Sequence, residues 1–117
     1  MEEVKRTERG WAGHFIASEH CLFRRNTLLE YGDKKWVVST VGRYLFDNKI
    51  DTIGHNRYYE TMAFEAEFDG LYHDADVEKP IDFESNWAIG DKKFDSEQRA
   101  NDMHEKVVAE LMEKIKE

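Results

Sequence analysis

Cysteine and proline are nearly absent from this chain of 117 residues, which contains one of each. The single cysteine, Cys21, excludes an internal disulfide. No apolar stretch approaches the roughly 18 residues that a membrane-spanning helix needs, and the first ten residues lack the apolar core of a signal peptide. We therefore expect a cytoplasmic protein.

Basic residues are outnumbered by acidic ones, with 17 Lys and Arg against 25 Asp and Glu, which gives a net charge of −8. This balance argues against binding to nucleic acids or anionic membranes, because both depend on Lys and Arg facing phosphate groups. The charge is unevenly distributed. Residues 1–59 hold ten basic and eight acidic residues, whereas residues 60–84 hold nine acidic residues and one basic residue, Lys79. An acidic surface in the second half is a natural docking face for a basic partner.

Aromatic residues, by contrast, are plentiful, with three Trp, five Tyr and seven Phe. Disordered chains are poor in such residues, so we expect a folded protein. Its length fits one domain, and no repeat or linker divides it. We predict a single domain over residues 1–117 in which residues 1–9 are flexible.

The hydrophobic pattern predicts an α+β fold. Two apolar arms flank a turn at Gly32, and the second arm is apolar on both parities, as in a strand buried on both faces. We expect a strand in residues 11–17, a loop over 46–57, and short strands over 71–77 and 81–83 that Pro80 interrupts. A capping residue at Asp95 precedes an apolar stripe at helical spacing. The predicted fold is a mainly antiparallel sheet of four to six strands with a C-terminal amphipathic helix packed on one face.

Residues 58–69 alternate with period two, as in a strand with one face in water. One face carries Met62, Phe64, Ala66 and Phe68, and the other carries Thr61, Ala63, Glu65, Glu67 and Asp69. The pattern assigns residues such as Met62 and Phe64 to the core. It assigns the acids to an outer face that continues beyond the turn at Gly70. Same-face residues on a strand lie about 6.5–7 Å apart, close to the spacing of phosphates along a nucleic-acid strand. The predicted partner-binding residues are Glu65, Glu67, Asp69, Asp74, Asp76 and Glu78.

Other residues suggest two different kinds of site. Four arginines and three aromatic residues of the first half have the side chains that clamp and stack on a nucleotide, although they equally suit a core with arginines paired to acids. They are Arg24, Arg25, Arg43, Arg57, Trp36, Tyr44 and Tyr58. The second kind of site would be that of a metal-dependent enzyme, formed around His55, His73 and Asp74. No paired ligand spacing typical of zinc sites is present, so we predict no metal, no cofactor and no catalytic residue.

Two further residues have ordinary structural explanations. Cys21 follows His20, and neighbours on a strand point to opposite faces, which is a poor arrangement for proton transfer. We expect Cys21 to be a small core residue. His104 falls on the helix side shared by Ala100 and Val108, and we expect it to be partly buried and hydrogen-bonded across to the sheet.

Several stretches resemble a family of small, largely uncharacterised proteins of tailed phages and prophages. The stretches are RGWAGHFI, FRRNTLLEYGDKKWVVSTVG, RYYETMAFEAEFDGLYHDADV and NDMHEKVVAEL, which together cover more than half of the chain. The resemblance implies an infected bacterial cell as the setting and supplies no catalytic residues. Small acidic phage proteins frequently bind and disable host machinery, as anti-CRISPR proteins do.

We therefore expect a phage-derived, non-catalytic inhibitor that binds a basic, nucleic-acid-engaging surface of a host defence complex. It would bind neither nucleic acid nor membrane directly. The alternative is an oligomeric protein that sequesters a small ligand or nucleotide through its arginines and aromatic residues. The sequence leaves the oligomeric state open.

Overall fold

One antiparallel sheet and one helix make up the computed structural model, which describes residues 3–10, 20–51, 59–68, 73–81 and 97–117. The predicted strand in residues 11–17, the predicted cap Asp95 and the histidines at 14 and 55 lie outside these ranges. The elements are β1 (Lys5–Glu8), β2 (Cys21–Tyr31), β3 (Lys34–Phe46), β4 (Lys49–Asp51), β5 (Tyr59–Phe68), β6 (His73–Ile81) and α1 (Glu97–Lys114).

The six described strands are ordered β1-β2-β3-β5-β6, and β4 pairs with the end of β3. All pairings are antiparallel, and α1 packs against β2, β3 and β5. The structure therefore confirms the predicted α+β class, the number of strands and the C-terminal helix on one face. Among the described residues, no helix combines the length and the apolar character needed to cross a membrane.

Strand β3 lies at the centre of the sheet and is buried on both faces, as its sequence predicts. Val37, Val38 and Val41 have no exposed surface, and successive residues of a strand point to opposite faces. Val38 belongs to the cluster under the helix, together with Leu29 of β2 and Ala63 of β5. β-branched side chains suit this position because they pack well against neighbours on a pleated surface.

Two-residue turns close both hairpins that involve β3. At the first turn Tyr31 pairs with Lys34, and Gly32 has a φ of 58°, a conformation that glycine adopts without steric cost. This hairpin was predicted. At the second, Phe46 pairs with Lys49 across Asp47 and Asn48, whose φ values are 51° and 61°. Positive φ at both central residues is the pattern of a type I′ turn. The predicted loop over 46–57 is therefore wrong for residue 46, which ends β3, and for 49–51, which form β4.

The N-terminal segment was predicted to be flexible, but Lys5–Glu8 form strand β1 at the edge of the sheet. Its register places Glu8 opposite Thr27 and Arg6 opposite Leu29. Salt bridges from Arg6 and Glu8 to neighbouring elements add to the backbone pairing. Local composition did not reveal these partners because they are distant in sequence.

Pro80 also behaves differently from the prediction, since it lies inside one continuous strand, β6, instead of separating two. It pairs with Phe64, whereas the next residue of β5, Glu65, pairs with Asp76. Residues 77–79 therefore form an irregularity in the ladder. A bulge of this kind accommodates a residue that lacks a backbone donor.

Helix α1 buries the predicted apolar stripe against the sheet, with Val107, Leu111 and Ile115 fully buried. It covers the face of β5 that carries Ala63, which is 1% exposed. The interpretation of β5 as a strand with one wet face is therefore wrong for its first half: Thr61 and Ala63 are buried on one side and Phe64 on the other. Only the second half exposes its acids.

Gly42 of β3 lies directly beneath the ring of Tyr59, its register partner on β5. A Cβ at position 42 would lie 2.0 Å from Cδ1 of Tyr59. The Tyr59 ring is fully buried and makes an edge contact with Phe23, at a centroid distance of 5.7 Å. The ring has no free space to move into, so this position requires glycine.

We predict that Gly42→Ala lowers the free energy of unfolding by about 1–3 kcal/mol, the usual cost of overpacking a core. Urea denaturation followed by tryptophan fluorescence measures the change. Gly32→Asn is the control, because no atom lies within 4 Å of a Cβ at position 32 and Asn tolerates positive φ. Equal stability of Gly42→Ala and wild-type protein would contradict the contact.

Candidate functional site

Four of the six predicted partner-binding residues are brought together on one face of the sheet. Glu65 pairs with Asp76, and Glu67 pairs with Asp74, on the adjacent strands β5 and β6. Directly paired residues of an antiparallel ladder share a face and have Cβ atoms about 4.5–5.5 Å apart. These four residues, which we call the acidic patch, therefore form two rows of two.

The described side chains of the acidic patch are open to solvent. Glu65 and Glu67 are exposed, and the side chain of Glu67 retains 68% of its accessible surface. Lys79 Nζ lies 3.8 Å from Glu67 Oε1, and its side chain is 57% exposed. An ion pair this exposed contributes little, so Lys79 offsets little of the negative charge of the patch.

Of the other two predicted residues, Asp69 lies outside the described residues, and Glu78 falls in the irregular stretch of β6 between the two registers. The acids were predicted to follow one strand face and to continue beyond the turn. The described register pairs Asp74 and Asp76 back onto β5, a contact between separate segments that the sequence could not show.

A second polar assembly lies beneath the helix and is centred on His104. The imidazole is completely buried. Its Nε2 lies 2.7 Å from Thr27 Oγ1, and its Nδ1 lies 2.8 Å from Thr40 Oγ1. Thr40 Oγ1 continues to Thr61 Oγ1 at 2.8 Å. The prediction that His104 bonds across to the sheet is confirmed, and its burial is complete rather than partial.

Glu8, at the far end of this series of hydrogen bonds, fixes the direction of every bond in it. Thr27 Oγ1 lies 2.5 Å from Glu8 Oε2, and an ionised carboxylate only accepts hydrogen bonds. Thr27 therefore donates to Glu8 and accepts from His104 Nε2–H. A neutral imidazole has one donor nitrogen, so Nδ1 accepts from Thr40, and Thr40 in turn accepts from Thr61. We call this sequence of bonds, from Thr61 to Glu8, the threonine–histidine chain.

The neutral state of His104 follows from its surroundings. Burial, together with the nearby charge of Arg25, lowers the pKa of His104 from 6.5 to about 4. Partial burial raises the pKa of Glu8, but hydrogen bonds from Thr27 and Arg6 outweigh that effect, and the pKa is lowered overall. At neutral pH His104 is thus neutral and Glu8 is ionised, as the threonine–histidine chain requires.

A group of ion pairs, which we call the ion cluster, joins the exposed end of the threonine–histidine chain to helix α1. Arg25 donates from Nη2 to Glu8 Oε1 at 2.6 Å and from Nη1 to Glu105 Oε1 at 3.1 Å and Asn101 Oδ1 at 3.0 Å. Arg6 donates from Nη2 to the same two carboxylates at 2.6 and 2.8 Å. The hydrogen bond from Arg6 is the main cause of a Glu105 pKa lowered to about 2.

The residues proposed for a nucleotide site are not assembled into one. Arg25 belongs to the ion cluster, and Trp36 packs against the core under the helix. Tyr44 makes an edge contact with the ring of His20, at a centroid distance of 6.0 Å. Arg57 and Tyr58 lie outside the described residues. Among the described residues, Arg24 and Arg25 share a cavity of about 130 Å³, which Glu8, Gly10 and Asn26 also line.

Cys21 has the core position expected of it. The residue is 3% exposed, and burial raises the pKa of its thiol, which disfavours the thiolate that nucleophilic chemistry needs. In the part of the chain that the structure describes, no three His, Cys, Asp or Glu residues converge as metal ligands. His55 lies outside that part.

The chain matches no protein-family model, no curated protein and no solved structure at a significant level.

Sequence reasoning identified His104 but missed its partners. The available signal was a threonine on each of three strands, at positions 27, 40 and 61. Threonine suits strands in any case, so its role as a buried hydrogen-bonding partner becomes visible only once the helix is placed over the sheet.

The directed chain predicts unequal costs for removing its hydroxyl groups. Thr27→Val leaves the buried His104 Nε2–H without an acceptor, and we expect a loss of about 1–3 kcal/mol in the free energy of unfolding. Thr61→Val removes only the first donor, while Thr40 still bonds to His104, so its cost should stay below about 1 kcal/mol. Urea denaturation of both variants tests the order. A larger loss for Thr61→Val would mean that the direction is wrong.

Proposed function

We propose that this protein is a non-catalytic inhibitor that uses the acidic patch to bind a basic, nucleic-acid-engaging surface of another protein or ribonucleoprotein. The observation that carries the proposal is the register of β5 and β6, which pairs Glu65 with Asp76 and Glu67 with Asp74. The exposed carboxylates of Glu65 and Glu67 lie on one face of β5 and repel one another, at a cost in stability. A basic partner would relieve that repulsion.

The spacing of the patch supports a surface that normally binds phosphates as its target. Residues two apart on a strand lie about 6.5–7 Å from one another, close to the interval between phosphates along a nucleic-acid strand. The patch thus offers two short rows of negative charge to a groove lined with Lys and Arg. Complementary charge of this kind accelerates association and makes it sensitive to salt.

Strand β5, which carries Glu65 and Glu67 of the acidic patch, is firmly held. Ala63 and Phe64, just before Glu65, are 1% and 3% exposed, and β5 is hydrogen-bonded on both sides, to β3 and to β6. A surface that is already ordered loses little conformational freedom on binding. This rigidity favours a docking surface over a solvated segment.

The setting of the proposal is the infected bacterial cell. The resemblance of four stretches to small proteins of tailed phages supports it, and so does the excess of acidic residues in the second half of the chain. Within that setting, the target class that we propose is a CRISPR effector complex or another nucleic-acid-guided defence complex. This step is an analogy with other small acidic phage proteins.

The variant Glu65→Lys/Glu67→Lys reverses the two exposed carboxylates of the patch. We expect the wild-type protein to displace labelled single-stranded DNA from at least one of a panel of purified CRISPR effector complexes. The variant should need at least about ten times the concentration, because opposed charges are replaced by like charges. Fluorescence anisotropy of the DNA measures displacement.

The matched control is Glu110→Lys/Glu113→Lys, which makes the same change in net charge on helix α1. It should displace DNA as well as the wild-type protein does. Equal displacement by the patch variant and the wild type would contradict the acidic patch as the binding surface. Failure of the wild-type protein on the whole panel would contradict the proposed target class.

One observation favours a second candidate function, the binding of a small anion. Arg24, Arg25, Asn26 and Gly10 line the same cavity together with the carboxylate of Glu8, and Gly10 has a φ of 69° with no atom within 4 Å of a Cβ built on it. A volume of about 130 Å³ is well below the roughly 300–1,000 Å³ of drug-sized ligand sites. The cavity therefore suits a single phosphate or carboxylate group rather than a whole nucleotide.

A thermal-shift experiment with inorganic phosphate and with nucleotides separates the two functions. A ligand present at 100 times its Kd stabilises the folded state by about 2.7 kcal/mol. An anion-binding protein should therefore show a Tm that rises with phosphate concentration, and Arg24→Gln should abolish the rise. The inhibitor function predicts no such dependence.

A further inference from the structure

The two halves of helix α1 are held to the sheet by different kinds of contact. The first half uses mainly polar side chains: Asn101 and Glu105 bond to Arg25, and His104 bonds to Thr27 and Thr40. Its apolar contacts are the buried Ala100 and the partly buried Met103. The second half uses apolar side chains that are at most 1% exposed. They are Val107, Val108 and Leu111, followed by Ile115 just beyond the end of the helix.

The polar contacts of the first half titrate, whereas the apolar contacts of the second half do not. The charged groups that face His104 are Arg6 and Glu8 from β1, Arg25 from β2 and Glu105 from the helix itself. Strands β3 and β5 contribute the neutral hydroxyls of Thr40 and Thr61 to the threonine–histidine chain. The balance of charge around His104 thus depends on two carboxylates.

We propose that the first half of helix α1, residues 97–105, is an acid-sensitive latch that detaches from the sheet when His104, Glu8 and Glu105 take up protons, while residues 107–115 stay packed. The inference is independent of the proposed inhibitor function, and its tests need no binding partner.

Protonation of His104 disturbs the chain in two ways. The imidazolium ion is a donor at both nitrogens, so Nδ1–H would face the hydroxyl of Thr40, which must then turn to accept. The new positive charge would also be buried without water, close to Arg25 and Arg6. Glu8 and Glu105 offset that charge only while they are ionised, so proton uptake at any of the three groups weakens the attachment.

The sign of the pH dependence follows from the two states of His104. Its pKa is about 4 when the latch is closed and about 6.5 when the side chain is released into water. The open state therefore binds the proton more readily, and the stability that this group contributes is complete above pH 6.5 and declines as the pH falls towards 4. The linkage raises the opening equilibrium constant about 20-fold between pH 7 and pH 5. Glu105 extends the decline, because its closed-state pKa of about 2 lies below its usual 4.5.

Residue-resolved hydrogen exchange of the wild-type protein between pH 7 and pH 5 tests the proposal. After correction for intrinsic exchange rates, protection of amides 101–105 should fall about 20-fold by linkage. Protection of Leu111 and of Val37 and Val38 at the sheet centre should change less than about threefold. An equal fall in all three regions would show global unfolding and overturn the latch, as would unchanged protection of 101–105.

An NMR titration of the His104 ring identifies the group responsible. A ring that keeps the Nε2–H tautomer and titrates well below pH 5.5 is expected, whereas a pKa near 6.5 would overturn the mechanism. His104→Gln removes the titrating group, so protection of 101–105 should no longer change between pH 7 and pH 5. If His104→Gln does not fold, the ring titration of the wild-type protein decides the question.

Glu105→Gln and Glu113→Gln form a matched pair on the same helix. Glu105 bonds to Arg6 and Arg25, whereas the ion pair described for Glu113 is local, with Lys116 at 3.7 Å. At pH 7, Glu105→Gln should lower the protection of 101–105 by at least about threefold, because charge-assisted hydrogen bonds to two arginines are weakened. Glu113→Gln should have no effect there. Equal effects of the two variants would overturn the role of the ion cluster.

Discussion

The fold depends on the way a single buried imidazole joins helix α1 to two strands at once. His104 has no exposed surface, yet both ring nitrogens are satisfied, one by Thr27 of β2 and the other by Thr40 of β3. A buried polar group is costly unless it is hydrogen-bonded, so only one placement of the helix over the sheet is tolerated. Apolar contacts such as that of Leu111 would permit small shifts along the sheet. The two hydrogen bonds of His104 do not permit such shifts.

The placement of the helix in turn defines the acidic patch. The helix covers the face of β5 at Thr61 and Ala63, where the side chains are 8% and 1% exposed, and leaves the same face open at Glu65 and Glu67. One strand thus belongs to the core in its first half and to the surface in its second. The carboxylates begin where the cover of the helix ends, so the acidic patch is a consequence of helix position as well as of sequence.

Local patterns predicted the parts of the fold that local physics determines. The apolar stripe of α1 and the turn at Gly32 each lie within one segment, and both were found as expected. Strand β4 was missed because its only signal is the pair Asp47 and Asn48. The faces of β5 were assigned wrongly because its small residues at 61 and 63 suit either side of a sheet. For the acidic patch, the sequence identified the residue types but not the pairing of Glu65 with Asp76, which arises from contacts between distant segments.

The two charged assemblies of this protein differ in balance, and that difference separates their roles. In the ion cluster, Arg6 and Arg25 meet Glu8 and Glu105, so two positive charges face two negative ones within 3.1 Å. Such a cluster is already satisfied by the protein and has little to gain from a partner. In the acidic patch, Glu65 and Glu67 are exposed and pair in register with Asp76 and Asp74. The described bases near them are Lys79, 3.8 Å from Glu67, and Lys34 and Lys35, which line a cavity with Glu65. The repulsion that remains there is free energy that a basic surface would release, because close approach of Lys or Arg replaces like-charge contacts with opposite-charge ones. A partner should therefore engage the unbalanced patch, while the balanced cluster keeps the helix in place.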